Sequence, residues 1–338
     1  MPDARLWLLW ALTALLAATA ARNPLYLFLL LLVVLLVGVT TAPSGRRRAA
    51  LLPLRFAALA IPFAAFFNGL TGHLGDTVLL RLPAWLPLLG GPVTLESLAY
   101  GAINGLALTA ILGAFTALNQ AVPVRELVRL TPRAFHEAGV VLAVALTLVP
   151  QTAQTVARIR QAQAVRGHRL RGLRDWLPIY LPLLVSGLER ALALAEAMVA
   201  RGYGAVSERA QPLPLRAVLV VGLLGLSGGW LGWLLAPAWA GVAGGVMVGG
   251  GVLLLGAVAL AGRAARCTRY RPRCWGIRET LAVLGCGLAL AAALAGQPSL
   301  VYSPYPRLSW PPFDPWVGLG LLGLLTPALV GETGSERR

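Results

Sequence analysis

The chain has 338 residues, 57% of them hydrophobic and only 12% charged, with a mean hydropathy of +0.73. Soluble domains carry about 25% charged residues, so a water-soluble fold is excluded and lipid is the expected solvent. All 29 basic residues are Arg, against 13 acidic ones, for a net charge of +16; because they gather between apolar runs, the excess reads as the positive-inside bias of a membrane protein and not as a nucleic-acid surface.

The first apolar run, Leu6 to Ala20, has the length of a signal sequence, but Arg22-Asn23-Pro24 leads straight into a second run, so the segment is read as a first helix. Asn23 is the expected cap of a second helix from Pro24 to about Val39. Arg46-Arg47-Arg48 follow as an inside marker. A third helix covers about Ala49 to Phe67, with Pro53 and Pro62 tolerated as they are in spanning helices. Asn68 to Pro92 reads as a glycine-rich outer loop in which Thr77 to Leu82 alternates like a short strand. Thr94 is the cap candidate of a fourth helix to about Ala121, with Glu96 at its positive end.

The next segment sets the topology. The apolar run Ala138 to Val149 lies between Arg125, Arg129 and Arg133 on one side and Arg158 to Arg174 on the other. It is short of the roughly 20 residues a crossing needs, and a crossing would leave one Arg block outside. The run is expected to be interfacial or re-entrant, and residues 123–214 to form one cytoplasmic module. That module carries two further helix patterns, Gln151 to Arg166 and Pro182 to Arg201, rich in Ala and so suited to close crossing. Glu189 and Glu196 share a face of the second. Four more apolar helices follow, at about Leu215–Leu235, Trp239–Ala261, Thr280–Ala295 and Trp316–Val330. The expected architecture is an all-α integral membrane protein: about eight transmembrane helices, four in 1–122 and four in 215–338, around a cytoplasmic module of amphipathic coupling helices. Both termini are expected in the cytoplasm of a multi-pass plasma-membrane protein.

No catalytic constellation emerges. His73, His136 and His168 are scattered, and His73 and Asp76 read as polar loop residues. Cys267, Cys274 and Cys286 give neither a disulfide framework nor zinc-ligand spacing. No GxxxxGK[ST] occurs, so no nucleotide is expected on a P-loop here. No catalytic, metal or cofactor residue is assigned. A self-contained channel or secondary transporter would be expected to place ionisable groups inside its spans, whereas these are almost uncharged; that class and a membrane-embedded enzyme are the alternatives.

One signal stands apart. Ala164-Val165-Arg166-Gly167 and Ala200-Arg201-Gly202 close the two helices of the module in similar ways. Gly stops a helix in the left-handed position beyond its end, and Arg complements the negative dipole there. Each guanidinium fork, carried to a helix tip, suits carboxylates and carbonyls in a groove of a partner. With these motifs the chain resembles the transmembrane T component of energy-coupling factor (ECF) transporters, the EcfT or CbiQ-like family, which carries two Ala-Arg-Gly motifs at the ends of coupling helices. Arg22-Asn23-Pro24-Leu25-Tyr26, Gly91 to Glu96 and Pro132 to Gly139 agree with it, and the resemblance covers about residues 1–235. It implies that Arg166 and Gly167, with Val replacing Ala at 165, and Ala200, Arg201 and Gly202 dock on two cytoplasmic ABC-type ATPase subunits, supported by Ala164, Val165, Glu189 and Glu196. It also implies that a separate membrane S component holds a vitamin or transition-metal ion, and that ATP and Mg sit on the ATPases and not on this chain.

Overall fold

The computed structural model describes residues 3–42, 50–81, 91–132, 135–167, 172–203, 213–235, 239–264 and 276–331. Arg46 to Arg48, His168, Arg169, Arg171, Cys267 and Cys274, all singled out in the sequence, lie outside the described residues. The protein is an all-α integral membrane protein. Its described chain is dominated by apolar helices, seven of which have the length and composition to cross a bilayer.

The first compact unit joins residues 1–130 to 271–338. It holds α1 (Ala4–Ala20), α2 (Pro24–Thr41), α3 (Leu52–Thr71) and α4 (Leu95–Ala121), then the short α5 (Val124–Val128). From the C-terminal part come α10 (Ile277–Ala295), α11 (Gln297–Leu300), α12 (Pro315–Leu322) and α13 (Thr326–Gly331), with a 3-10 turn between the last two. Before α4, β1 (Val78–Arg81) pairs antiparallel with β2 (Pro92–Thr94), Val78 facing Thr94 and Arg81 facing Pro92. The expected strand and both expected caps are present. The Asn23 side chain accepts from the Leu25 amide at 3.0 Å, and Thr94 accepts from the Ser97 amide at 3.3 Å. Glu96 is fully buried behind Thr94, and the Thr77 hydroxyl donates to it at 2.6 Å, which pins the strand pair to the start of α4.

The core of this unit shows what the last segment does. Trp10, Tyr26, Leu27 and Val34 are buried together with Cys286, Ala289, Leu321 and Leu324. The indole N–H of Trp10 donates to the Leu324 carbonyl at 2.8 Å. Asn23, fully buried, donates its amide to the carbonyls of Ser299 (3.1 Å) and Pro312 (2.6 Å). Tyr26 stacks on Phe313 with ring centroids 5.3 Å apart. The connection between α11 and α12 reaches the segment just before β1, where Arg307 bonds Asp76 at 2.9 Å. His73 sits near the Pro92 carbonyl; it and Asp76 are loop residues engaged within the fold.

The second unit, residues 131–270, holds α6 (His136–Val165), α7 (Leu177–Ala200), α8 (Leu213–Leu235) and α9 (Ala240–Ala264). α8 and α9 form a hairpin closed by glycines: a Cβ on Gly229 would overlap the backbone of Met247, and one on Gly250 would overlap that of Gly222 and Leu226.

Three boundaries differ from the sequence reading. Residues 138–149 were expected as a short apolar run and 151–166 as a separate helix; both fall in one 30-residue helix, His136–Val165, that passes through Pro150 and is capped by Arg166. A single Pro removes one backbone hydrogen bond and kinks a helix without having to end it, so the apolar and Arg-rich halves make one rod. By length and composition that rod joins the candidate spans. The expected last span, Trp316 to Val330, is interrupted by the 3-10 turn at Gly323–Leu325. The expected C-terminal block 215–338 is divided between the two units, because α10 and α12 bury their small-residue faces on α1 and α2 while α8 and α9 bury theirs on each other.

The C-terminal segment is therefore part of the first unit's core. A chain ended near Arg263 should expose Trp10 and Tyr26 and lose its cooperative thermal transition in detergent. Asn23→Ala should lower stability by roughly 2–4 kcal/mol, since it removes a helix cap and leaves two carbonyls without a donor. Asn23→Asp keeps the cap oxygen but turns a fully buried carboxylate oxygen toward the two carbonyls, so it should be at least as destabilising as Ala. Equal melting temperatures for all three would show that the Asn23 contacts do not hold the segment.

Candidate functional site

The two Arg-Gly motifs end α6 and α7 with the same backbone. Arg166 has φ −78° and ψ 7°, and Arg201 has φ −87° and ψ 6°. Gly167 and Gly202 follow at φ +80° and +78°, the left-handed region that glycine enters without penalty. The Gly167 amide donates to the Ala164 carbonyl at 3.0 Å and the Gly202 amide to the Val199 carbonyl at 2.9 Å. At the second motif the Tyr203 amide also reaches the Met198 carbonyl at 2.9 Å, which completes a Schellman motif. A Cβ on either glycine would meet nothing within 4 Å, so backbone conformation alone calls for Gly there.

Every side chain assigned to the site lies in the open. Ala164, Val165, Arg166, Ala200 and Arg201 are exposed, and so are Glu189 and Glu196. The chain carries two guanidinium groups at two helix tips, each set one residue before a fixed turn. α7 is 24 residues long, so Arg201 stands about 36 Å from the start of its helix. The two motifs end two separate helices.

The sequence reading missed how the helices meet. The Arg190 guanidinium donates to the Thr155 hydroxyl at 3.3 Å, across 35 residues. Arg166 and Arg201 are also 35 residues apart, and so are Gly167 and Gly202. Thr155 and Arg190 therefore occupy equivalent positions, each eleven residues before its Arg. Leu148 and Leu183, Ile159 and Leu194, and Gln163 and Met198 are half-buried at matching positions, whereas Leu146, Val156 and Ser186 have exposed counterparts. The two helices turn equivalent faces to each other, and each extends about 16 Å beyond the contact before its Arg. Laying the two Arg-Gly motifs over one another in the sequence would have revealed this register.

The outer face of α7 is apolar and unpartnered among the described residues: Leu181, Leu184, Val185, Leu188, Leu192 and Val199 are exposed at helical spacing. Among the described residues no cluster of His, Cys, Asp or Glu has the grouping to hold a metal ion.

Comparison with known proteins gives the following. The family model described as cobalt transport protein, CbiQ, matches residues 1–212 and so includes both motifs. The chain is 34% identical over 105 residues to the energy-coupling factor transporter transmembrane protein EcfT of Streptococcus thermophilus, a match covering 26% of this chain and 40% of that protein. It is 39% identical over 74 residues to the EcfT protein of Streptococcus equi, covering 20% of this chain and 28% of that one. The chain thus spans well under half the length of these relatives.

Gly167→Ala and Gly202→Ala should each cost about 1–2 kcal/mol locally, the penalty of a Cβ at positive φ. Gly→Asn should cost less, because Asn enters that region more readily. Amide hydrogen exchange in the last turns of α6 and α7 reads this directly: Ala should speed exchange at Ala164 to Gly167 and Val199 to Gly202, with little change elsewhere. Unchanged exchange would mean that the positive-φ turns do not hold these helix ends.

Proposed function

The chain belongs to the CbiQ family of cobalt transport proteins, and on that premise we propose that it is the transmembrane coupling subunit of an ATP-driven ECF-type importer. Its family membership and its all-α membrane architecture fit a transporter's membrane component. In this reading α6 and α7 lie on the cytoplasmic side and Arg166 and Arg201 enter grooves on two ABC-type ATPase subunits. The ATPases bind ATP and Mg, and a separate S component in the membrane holds a vitamin or transition-metal ion. This chain performs no catalysis.

The observation that carries the proposal is the pair of helix ends with equal geometry. A docking residue has to be presented in the same way each time. Arg166 and Arg201 are each placed by a positive-φ Gly at the end of a helix, with no competing acid bonded to either among the described residues. Arg can make bidentate hydrogen bonds to carboxylates and carbonyls that Lys cannot reproduce. The helices behind them are continuous, so a displacement at a tip is passed along a rod to the contact between Thr155 and Arg190. The exposed apolar stripe of α7 offers the complementary surface for an S component, whose own exterior must be apolar to live in lipid.

Loss of one partner of a buried, hydrogen-bonded charge pair costs roughly 2–5 kcal/mol. Arg166→Ala and Arg201→Ala should each reduce ATPase capture and substrate uptake clearly, with the double change worse and Arg→Glu at either site worse again. Membrane insertion should be unaffected. Capture and transport equal to the parent in all variants would reduce these residues to helix caps. The side on which α6 lies is tested separately by membrane-impermeant labelling of single cysteines at Thr131 and Gln154 in a Cys-free chain. Both should label from the cytoplasm; labelling from opposite sides would make α6 a span.

A further inference from the structure

Where α3 stops and α4 starts, the first unit carries two segments with apolar side chains in the open. All four residues of β1, Val78, Leu79, Leu80 and Arg81, are exposed. Val78 and Leu80 stand on one face of the strand and Leu79 on the other, so both faces are apolar. In the connection from α11 to α12, Trp310 is 89% exposed, and Trp316 in the first turn of α12 is 80% exposed. The two segments are tied together: the Asp76 amide donates to the Pro306 carbonyl at 3.1 Å, and Arg307 bonds the Asp76 carboxylate at 2.9 Å.

Two requirements locate these segments. A two-stranded ribbon has two edges with backbone N–H and C=O groups that its ladder leaves unpaired, and residues 301–314 form neither helix nor strand. Such backbone cannot enter hydrocarbon, where every polar group has to be satisfied internally. Open water satisfies the backbone but leaves Leu79, Leu80 and Trp310 hydrated, with no polar face on β1 except at Arg81. The headgroup layer of a bilayer supplies water to the backbone and apolar contact to the side chains at once, and Trp is the residue that favours it. A protein partner would cover one face of the ribbon, whereas a lipid surface can meet both. The position agrees. The ribbon lies between the end of α3 at Thr71 and the Thr94 cap of α4, both candidate spans. On α12, Trp316 heads an exposed stripe that continues with Leu319.

We propose that the ribbon and the α11–α12 connection lie together in the headgroup layer, as an interfacial anchor that holds the first unit at a fixed depth. The partner is the lipid surface itself. This rests on the membrane location of the first unit and not on docking at Arg166 or Arg201.

The test uses the full chain in lipid nanodiscs, made Cys-free and then given Leu80→Cys, Trp310→Cys or Leu32→Cys, each carrying an environment-sensitive fluorophore. Leu80 and Trp310 are exposed, so replacing them removes little packing; Leu32, exposed in the middle of α2, reports the hydrocarbon. Quenchers are iodide in the water and lipids bearing a nitroxide either at the headgroup or near the end of the acyl chain. At Leu80 and Trp310 the headgroup nitroxide should quench more than the deep one, with partial quenching by iodide. At Leu32 the order should reverse, with no quenching by iodide. Strong iodide quenching at Leu80 and Trp310 without any from the lipids would place both segments in water and overturn the anchor. Dominant quenching by the deep nitroxide would overturn it equally. A headgroup signal from only one of the two labels would show that the segments do not act as one anchor.

Discussion

A chain solvated by lipid has to close its backbone hydrogen bonds within its own helices, and that constraint decides where polar side chains occur in this protein. Helix ends are the weak points, since each leaves carbonyl or amide groups without intrahelical partners. The described polar residues of the first unit sit largely at such ends. Asn23 caps α2 and satisfies two carbonyls of the C-terminal segment; Thr94, Ser97 and Glu96 close the start of α4. At α6 and α7 the same need is met by Gly167 and Gly202, and meeting it leaves the preceding Arg free to point outward. The groups proposed to act on partners are available because the backbone beneath them needs nothing from them.

How much of this was readable before the structure depends on the distance over which each interaction acts. Caps are local, so Asn23, Thr94, Arg166-Gly167 and Arg201-Gly202 declare themselves within a few residues. The strand Val78–Arg81 is readable for the same reason, through its alternation. The continuity of α6 is not, because Pro150 and the change from apolar to Arg-rich sequence both mimic a boundary that packing and length override. The docking of α10 and α12 on α1 and α2 is not readable either: Asn23 and Ser299 are 276 residues apart, and small-residue faces such as Cys286-Ala289-Ala293 look alike wherever they pack. In the candidate site the Arg-Gly motifs were legible. Arg190 was hidden within a general excess of Arg, from which only its contact with Thr155 distinguishes it.

The 35-residue register between α6 and α7 carries a further consequence. A strict repeat around a local two-fold axis would set each residue at the contact against its own copy. Two Arg would then repel, and two Thr would bond no more strongly than a pair of neutral hydroxyls. The chain instead places Thr155 opposite Arg190, so the equivalent positions form a donor–acceptor pair that neither sequence could make with itself. The asymmetry continues outward. From the contact to its tip, α6 carries Arg158, Arg160 and Arg166 and no acid, whereas α7 carries Arg190, Glu196 and Arg201, with Glu189 just before the contact. The two arms share length, cap geometry and terminal guanidinium, yet one lies in a purely positive field and the other in a mixed one. Fields of this kind govern the rate and choice of association more than its final strength. If both tips dock on ATPases, the α6 tip should attract an acidic groove more strongly and with greater salt sensitivity, while the α7 tip depends more on direct hydrogen bonding. Geometry alone makes the two tips alike; it is the charges along the arms that distinguish them.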